Sequence, residues 1–298
     1  MKLAPICLFV YNRPFHTKQC INALLKNNLS ESSELFIFSD APKSEKQEKN
    51  VQEVRSYIKS ITGFKRITII ERPFNYGLAQ NIINGVTTIV SQFNKVIVLE
   101  DDLIVSPYFL EYMNNFLEIY NEDHTVASIH GYVYPLKNRK KLSETFFIKG
   151  ADCWGWATWK RAWNYFEKDG TILLKKILEK KLKKEFDFDN SYPYTKMLLE
   201  QTKGENNSWA IRWYASAFIN NMYTLYPRES LVQNIGMDNS GTHCASNNFY
   251  ETNLITSPIV YTKQPIIECK EARKEFIRYF HSLRYKSWFK KINNIFRK

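Results

Sequence analysis

Residues Lys95 to Tyr112, KVIVLEDDLIVSPYFLEY, decide the fold of this chain. The apolar run Val96 to Leu99 is typical of a strand that is buried on both faces of a parallel sheet. The run ends in Glu100, Asp101 and Asp102, and burying three unpaired carboxylates at a sheet edge costs several kcal/mol. A divalent cation at this end of the strand would remove that cost, and ligands of open α/β sheets bind at this end. The alternative is a solvated acidic turn.

A helix is predicted directly after this acidic cluster. Pro107 reopens the chain, and residues 108–120 carry a helical pattern. A buried strand that ends in carboxylates and leads into a helix indicates a hard metal ion, Mg²⁺ or Mn²⁺, that holds a phosphate.

Strand and helix patterns alternate along the first hundred residues. Strands are predicted at 4–10, 35–38, 66–70 and 96–99, and helices at 17–26, 45–61 and 78–93. This order predicts a mainly parallel sheet with right-handed crossovers. Further strands are expected at 126–129 and 146–148.

The pattern changes after Gly150. The stretch 151–163, ADCWGWATWKRAW, holds four of the seven tryptophans. A lysine-rich helical segment follows at 172–186, and an aromatic segment at 209–226. Short strand patterns are found at 223–226 and 230–233. We expect one catalytic domain at 1–265, with two parts at 1–112 and 113–265, followed by a basic extension at 266–298.

Composition bounds the class of protein. The chain has 298 residues, of which 44% are apolar and 15% aromatic, as in a globular protein with a substantial core. It contains no apolar run long enough for a transmembrane helix and no signal-peptide pattern, so the sequence predicts a cytoplasmic protein. The five cysteines are scattered without a CxxC pair, which disfavours both a disulfide framework and a zinc site.

The formal net charge of +12 is concentrated at the C-terminus. Residues 270–298 contain ten Lys or Arg against Glu271 and Glu275, a net charge of +8. Within this segment Trp288, Phe289 and Ile292 recur at helical spacing opposite a basic face, a pattern of peripheral attachment to an anionic membrane surface. The alternative is a helix that packs on the domain. No recognition motif for nucleic acid accompanies the charge.

The order of these motifs resembles the nucleotide-sugar glycosyltransferases of the GT-A fold, in particular the N-acetylglucosaminyltransferase I type and its bacterial polysaccharide relatives. The resemblance runs from about Ala4 to Cys244, and its most specific part is the text of Glu100 to Leu103 and Val105 to Tyr112. It implies an α/β fold with a Rossmann-like, mainly parallel sheet flanked by helices and a smaller acceptor-side α+β part.

The resemblance also implies a metal-dependent donor site. Asp102 would bind Mn²⁺ or Mg²⁺ directly, while Asp101 and Glu100 would hold ribose hydroxyls or metal-bound water. His243, in the loop NIGMDNSGTHC at 234–244, is implied as a second metal ligand. Without the resemblance, a lone loop histidine is more often simply solvated.

Three further loops are expected to bind the nucleotide sugar. Val10, Tyr11 and Arg13 follow the first strand, and a guanidinium at a strand end suits a diphosphate. The resemblance places Asp40 against the uracil of a UDP-sugar and Asn75 in a loop that lines the donor site. Read alone, each of these segments is also an ordinary turn.

The catalytic base is open. In the resembled family a carboxylate just before a Trp takes the proton of the acceptor hydroxyl during inverting transfer. Here the matching stretch is GENNSWAIRW, 204–213, where Asn206, Asn207 and Ser208 stand in place of the expected Asp. Glu205, the nearest carboxylate, is the candidate base. Asp152 is an alternative base, and loss of the base at Asn207 is another.

The tryptophans of the second half offer platforms for an acceptor. Trp154, Trp156 and Trp159 would stack on the apolar faces of a saccharide. Four tryptophans in thirteen residues are equally compatible with core packing.

Taken together, these patterns predict a glycosyltransferase that extends a bacterial surface glycan on a lipid-linked saccharide acceptor. It would work on the inner face of the cytoplasmic membrane. Two alternatives come from other classes, namely a catalytically impaired glycan-binding relative and a nucleotidyltransferase. The latter normally has a Gly-rich phosphate loop near its N-terminus, and residues 1–20 contain no glycine.

Overall fold

The computed structural model describes residues 2–238 and 249–295, and the side chains of residues 2–238 and 249–284. The strands are β1 Ile6–Val10, β2 Glu34–Ser39, β3 Arg66–Glu71, β4 Lys95–Glu100, β5 Leu103–Val105, β6 Val126–His130, β7 Thr145–Lys149, β8 Trp156–Trp159, β9 Tyr223–Pro227 and β10 Val232–Asn234. The α-helices are α1 Pro14–Leu25, α2 Glu45–Ser60, α3 Leu78–Phe93, α4 Phe109–Ile119, α5 Lys160–Trp163, α6 Gly170–Glu179, α7 Lys183–Phe186, α8 Tyr194–Thr202, α9 Trp209–Ile219 and α10 Lys270–Ile295.

Eight of these strands form one sheet in the order β3-β2-β1-β4-β8-β6-β9-β7. The first four are parallel, with Ile6 of β1 opposite Leu35 of β2 and Ile97 of β4. Beyond β4 the sheet is mixed, because β8 runs antiparallel to both of its neighbours. The predicted mainly parallel sheet with flanking helices is confirmed.

Helices cover both faces of the sheet. Apolar side chains of α1, α2 and α4, such as Ile21, Val54 and Phe116, belong to one core cluster. Those of α3, such as Ile82, belong to a second cluster on the other side, and α9 contributes Trp213 to this cluster and Phe218 to the first. Side chains alternate between the faces along a strand, so consecutive residues of β1 enter different clusters. A strand buried on both faces therefore reads as an unbroken apolar run.

Two strands were not predicted, and both position the site. β8 lies inside the tryptophan-rich segment and pairs with β4 next to the acidic cluster. β5 begins one residue after Asp102 and pairs with β10 in a separate two-stranded sheet. Neither is long enough to show an alternating pattern, because β5 has three residues and β8 has four.

The first half of α10 packs on the domain. Phe276 and Phe280 are 1% exposed and belong to the same core cluster as residues of β6 and β7. The side chain of Asn138 also donates a hydrogen bond to Glu275, at 3.0 Å. The side chains of Trp288, Phe289 and Ile292, on which the membrane prediction rests, lie outside those described. No helix among the described residues is long and apolar enough to cross a membrane.

Candidate active site

The acidic cluster lies at the carboxyl end of β4, as predicted, and Arg13 faces it. The Arg13 guanidinium forms ion pairs with Asp101 and, at 3.0 Å, with Asp102. Asp101 is 3% exposed and Asp102 is 9% exposed. Arg13 precedes α1 in the loop after β1, and β1 is the parallel neighbour of β4. The parallel order of the strands thus brings the guanidinium to the carboxylates.

One arginine does not balance three carboxylates. Burial, with the charges of Asp102 and Asp101, raises the pKa of Glu100 to about 8. Burial also raises the pKa of Asp101 to about 6, although Arg13 opposes that shift. Both shifts express the cost of burying like charges together. The cluster therefore has an electrostatic affinity for a further cation.

The segment 235–238, which we call the strap, lies against the acidic cluster. The backbone N–H of Ile235 donates a hydrogen bond to the carbonyl of Asp102, at 2.9 Å. The next residue, Gly236, lies so close that a Cβ there would overlap Asp102 Oδ2 and meet the Arg13 guanidinium. Further along, Asp238 Oδ2 lies 3.1 Å from His16 Nε2 on α1. The segment 235–238 is thus fastened over the carboxylates at both of its ends.

These residues fit a hard divalent cation through one direct ligand. The oxygen atoms of Asp102 are of the type that Mg²⁺ and Mn²⁺ prefer. Within residues 2–238 and 249–284, however, no three His, Cys, Asp or Glu side chains are arranged to hold a metal ion together. The remaining ligands would come from a bound phosphate, from water or from residues outside the described ranges. His243, the second predicted ligand, lies outside the described residues.

Asp40 fixes the loop at residues 75–77 through hydrogen bonds. Its carboxylate accepts hydrogen bonds from the backbone N–H groups of Ala41 (2.9 Å), Tyr76 (2.8 Å) and Gly77 (2.9 Å). It also accepts one from Asn75 Nδ2, at 3.2 Å. A carboxylate offers about four acceptor sites, so the four donors fill it. Asp40 and Asn75 therefore lie together, and the hydrogen bonds of Asp40 stabilise the loop at residues 75–77.

The loop after β1 connects Asp40 to the acidic cluster through backbone hydrogen bonds. The carbonyl of Val10 accepts a hydrogen bond from the backbone N–H of Asp40, at 3.1 Å. The backbone N–H of Tyr11 donates to Asp101 Oδ2, at 3.3 Å. The side chain of Val10 is buried, whereas that of Tyr11 is half-buried. The backbone of this loop, rather than the Val10 side chain, therefore lines the donor side.

Asp152 lies on the opposite side of the acidic cluster and is held by three donors. The hydroxyls of Tyr134 and Tyr226 donate to its Oδ2, at 3.2 and 3.3 Å. The backbone N–H of Cys153 donates to its Oδ1, at 2.8 Å. Besides these three, the Cys153 thiol forms a hydrogen bond with the Asp152 side chain, so the about four acceptor sites of the carboxylate are engaged, one of them by a weak S–H donor. Asp152 is half-buried.

The segment 152–154 borders the acidic cluster. The pairing of β4 with β8 ends at Val98 opposite Trp156, two residues before Glu100 in β4 and two residues after Trp154. Burial raises the pKa of the Cys153 thiol, and the charges of Asp152 and Glu100 add to the shift. The segment is held in place by buried His130, whose Nε2 accepts a hydrogen bond from the Trp154 backbone at 3.1 Å.

The other two candidates for the base lie in the turn before α9. Glu205 is exposed, and its side chain makes no hydrogen bond or ion pair with any described residue. Asn207 Oδ1 accepts a hydrogen bond from Arg212 Nη2, at 3.2 Å. Arg212 is itself 7% exposed. Of the three candidates, Asp152 alone belongs to a segment in electrostatic contact with the acidic cluster.

The structure contradicts part of the prediction for the tryptophans. Trp156 is 0% exposed and its ring packs against Trp163, Trp209 and Trp213, at 5.5 to 5.9 Å between ring centroids. Trp159, at 2% exposed, is also a core residue. Both belong to β8, which is buried on both faces, so neither is available to a sugar. Trp154 precedes the strand and is half-buried.

Sequence reasoning missed the tyrosines that hold Asp152, and it missed Gly236. Tyr134 and Tyr226 are 18 and 74 residues from Asp152 in the chain, and no local pattern connects them. For Gly236 a signal did exist. A glycine in a polar loop directly after a strand marks a close backbone approach.

The sequence model of glycosyl transferase family 2 matches residues 6–180, which is more than half of the chain. These residues include β1 to β8 and therefore the acidic cluster, Arg13, Asp40 and Asp152. No curated protein sequence matches the chain.

Several solved structures are similar to the chain at low identity. The mannosyltransferase PcManGT from Pyrobaculum calidifontis, in complex with GDP-Man and Mn²⁺, is 13% identical, with a TM-score of 0.30, over 46% of this chain and 36% of its own. TarS 1-349 from S. aureus is 11% identical, with a TM-score of 0.36, over 75% of this chain and 60% of its own. The galactosyltransferase LgtC, with donor and acceptor sugar analogues, is 10% identical, with a TM-score of 0.39, over 74% and 72%. The chain thus spans less than two thirds of PcManGT and of this TarS fragment.

Proposed function

This chain belongs to glycosyl transferase family 2 and is a glycosyltransferase with a GT-A-like fold, and on that premise we propose its donor, cofactor and acceptor. The donor is a UDP-sugar that carries a hexosyl or N-acetylhexosaminyl group. The acceptor is a saccharide, and transfer inverts the anomeric carbon. The observation that carries this proposal is the meeting of Arg13, the acidic cluster and Asp152 at one edge of the sheet.

The diphosphate of the donor would lie against Arg13. A guanidinium can bind two phosphate oxygens at once, and this one is positioned by Asp101 and Asp102. The uridine would lie on the loop that Asp40 holds, next to Asn75 and the half-buried ring of Tyr11. Because the Asp40 carboxylate is filled by backbone donors, we assign it to the shape of the uracil site rather than to direct contact.

Asp102 would hold Mn²⁺ or Mg²⁺, with Glu100 and Asp101 beside it. The ion, when bound, supplies positive charge against the negative charge of the leaving UDP. The raised pKa values of Glu100 and Asp101 support a site that gains from a second cation. His243 remains a predicted second ligand. The proximity of Gly236 to Asp102 would keep the strap close to the metal and the phosphates.

Asp152 would act as the catalytic base. A hydroxyl of the acceptor would replace the weak thiol donor of Cys153 on the carboxylate, which would then take the hydroxyl proton as that hydroxyl attacks the anomeric carbon. Glu205 is a less suitable base because it is exposed and unsupported. Asn207 cannot take a proton at neutral pH, and its amide oxygen is engaged by Arg212.

We place this activity in the assembly of a bacterial surface glycan such as lipopolysaccharide, capsule or O-antigen. The acceptor would be lipid-linked. The +8 charge of residues 270–298 supports this, since a basic helix would bring the site to an anionic membrane surface on the cytoplasmic side.

Nucleotide release from UDP-, GDP- and CMP-sugars, with Mn²⁺ or with EDTA, tests the donor and the cofactor. We expect UDP release from one UDP-sugar, abolished by EDTA. Equal release in EDTA would refute the metal, and preferential release of GDP or CMP would refute the uridine donor. Metal-dependent binding of UDP without turnover of any donor, in the presence of acceptor saccharides, would instead indicate a glycan-binding relative that lost its base at Asn207.

A further inference from the structure

Six tyrosines surround Asp152, and the proposed function uses none of them. They come from four separate parts of the chain, and we call them the tyrosine cluster: Tyr132, Tyr134, Tyr192, Tyr194, Tyr226 and Tyr250. Ring centroids of neighbouring members lie 4.5 to 6.4 Å apart. The separations are those of ordinary aromatic packing. What is unusual is that hydroxyls and a carboxylate share the space.

The tyrosine cluster is buried at its base and open at its rim. Tyr132, Tyr134 and Tyr226 are at most 9% exposed, and two of them fix Asp152 by hydrogen bonds. Tyr192 and Tyr250 are half-buried. The partly exposed members, Tyr192 and Tyr250, therefore lie with half-buried Asp152 at the rim of the tyrosine cluster.

Trp154 joins this rim to the acidic cluster. Its ring lies edge-on to Tyr132, at 4.8 Å, and to Tyr250, at 5.5 Å. It is half-buried, and its backbone is fixed by His130. A platform at this place lies between the proposed position of the donor sugar, near Asp102, and the tyrosines.

The electrostatic character of the surface is set by one carboxylate. Burial raises the pKa of every member of the tyrosine cluster, and the Asp152 charge raises each of them further. The phenols therefore stay neutral and can both donate and accept hydrogen bonds. Among the described residues, a ligand in this place meets neutral hydroxyls, aromatic rings and the Asp152 carboxylate.

We infer, on the basis of the proposed function, that the tyrosine cluster and Trp154 form the acceptor subsite and that it takes an uncharged sugar unit and rejects an acidic one. Aromatic edges and phenol hydroxyls match the CH faces and hydroxyls of a saccharide. A carboxylate or phosphate on that sugar unit would lie beside Asp152 and be repelled. Rejection by a like charge is a common means of specificity.

The test is a matched pair of glycosides. Methyl β-D-glucoside and methyl β-D-glucuronide differ only in whether carbon 6 is a CH₂OH or a carboxylate. Their dissociation constants would be measured by saturation-transfer NMR on the full chain without nucleotide or metal. We expect the glucuronide to bind about tenfold more weakly or worse, because its carboxylate meets Asp152 in a partly desolvated site.

Variants separate charge recognition from simple fit. Asp152→Asn keeps the shape of the side chain and removes its charge, so the ratio of the two dissociation constants should fall to within about twofold. Tyr192→Phe removes one hydroxyl at the rim and should weaken both glycosides equally. Tyr165→Phe alters a tyrosine that is 48% exposed and lies outside the tyrosine cluster, and it should change neither.

Three outcomes would overturn the inference. They are equal or tighter binding of the glucuronide to the unmodified chain, an unchanged ratio in Asp152→Asn, and no saturation transfer from either glycoside. The proposed function is tested separately by UDP release. If discrimination between glycosides is found without donor turnover, the donor assignment fails alone; if turnover is found without discrimination, the acceptor inference fails alone.

Discussion

The two halves of the sheet end in side chains of different chemistry. The parallel half, β3-β2-β1-β4, ends in charged groups, namely Arg13 and three carboxylates. The mixed half, β8-β6-β9-β7, ends in aromatic rings, phenols and Asp152. A nucleoside diphosphate needs fixed charge and a counter-ion, whereas a saccharide needs hydroxyl partners and apolar faces. The change from one chemistry to the other falls at the border of β4 and β8.

The two halves also differ in how their sites are assembled. In the parallel half, each polar group follows the end of a strand within three residues, as Arg13 follows β1 and Asp40 follows β2. Parallel strands bring such positions to one edge without further requirements. In the mixed half, Asp152 is reached by Tyr134 and Tyr226 from different strands and loops. Substitutions should therefore separate the two halves by effect.

The largest effect is expected for Asp102→Asn. The substitution removes the proposed metal ligand and one partner of Arg13. The rate of transfer should therefore fall by about 10³-fold, because the developing charge in the transition state loses about 4 kcal/mol of stabilisation. Initial rates of UDP release would measure it. Glu111→Gln removes a charge from nearby α4 and should change the rate little. Near-normal activity of Asp102→Asn would refute the placement of the metal.

The fold was predictable where long apolar runs lie between turns. The strands β1 to β4 and the helix Leu78–Phe93 match their predicted places to within two residues at each end. The helix α1 begins three residues earlier than predicted because Pro14 serves as its first residue. β8 was not predicted because its four residues, WATW, are apolar on both faces and too short to alternate. Tertiary pairing with β4 and β6 determines it.

The residues of the proposed donor site carry a local sequence signal for the same reason, and those of the proposed acceptor site do not. Glu100 to Asp102 and Arg13 come after strands and bear charge, which is a local signal. The contact between Tyr226 and Asp152 joins residues 74 positions apart, and tyrosine is common in ordinary cores. A single sequence cannot distinguish a tyrosine that packs in the core from one that holds a carboxylate.

The next largest effect is expected for Asp152→Asn. Loss of a general base costs about 10²- to 10⁴-fold, so kcat should fall by that factor while UDP binds with unchanged affinity. Glu205→Gln is the matched change in the turn before α9 and should stay within about threefold of the normal rate, because an exposed carboxylate without partners contributes little. Steady-state kinetics and calorimetric titration with UDP measure both quantities. If Asp152→Asn keeps the normal rate and Glu205→Gln is inactive, the catalytic base is Glu205 and not Asp152.

A smaller effect, on the donor side alone, is expected for Gly236→Ala. The added Cβ would overlap Asp102 Oδ2, so the strap or the carboxylate must move to relieve the overlap. We expect UDP to bind about tenfold more weakly in the presence of Mn²⁺, since each factor of ten corresponds to only about 1.4 kcal/mol. Binding of the neutral glycoside to the tyrosine cluster should not change. If Gly236→Ala weakens both ligands alike, the strap supports the whole site rather than the donor half.

The smallest effect is expected for Asn207→Asp, which restores the residue type that the resemblance anticipates there. The new carboxylate would face Arg212 and lie just before the N-terminus of α9, so it should stabilise the fold by about 0.3–1 kcal/mol, measured by urea unfolding. Asn206→Asp is the control: it adds the same charge but loses the amide hydrogen bond to Met197. Because Asp152 already serves as the base in our proposal, the transfer rate should change by less than about threefold, whereas a general base is worth about 10²-fold or more. A rate increase of that size would move the base to position 207 and leave Asp152 to bind the acceptor without taking its proton.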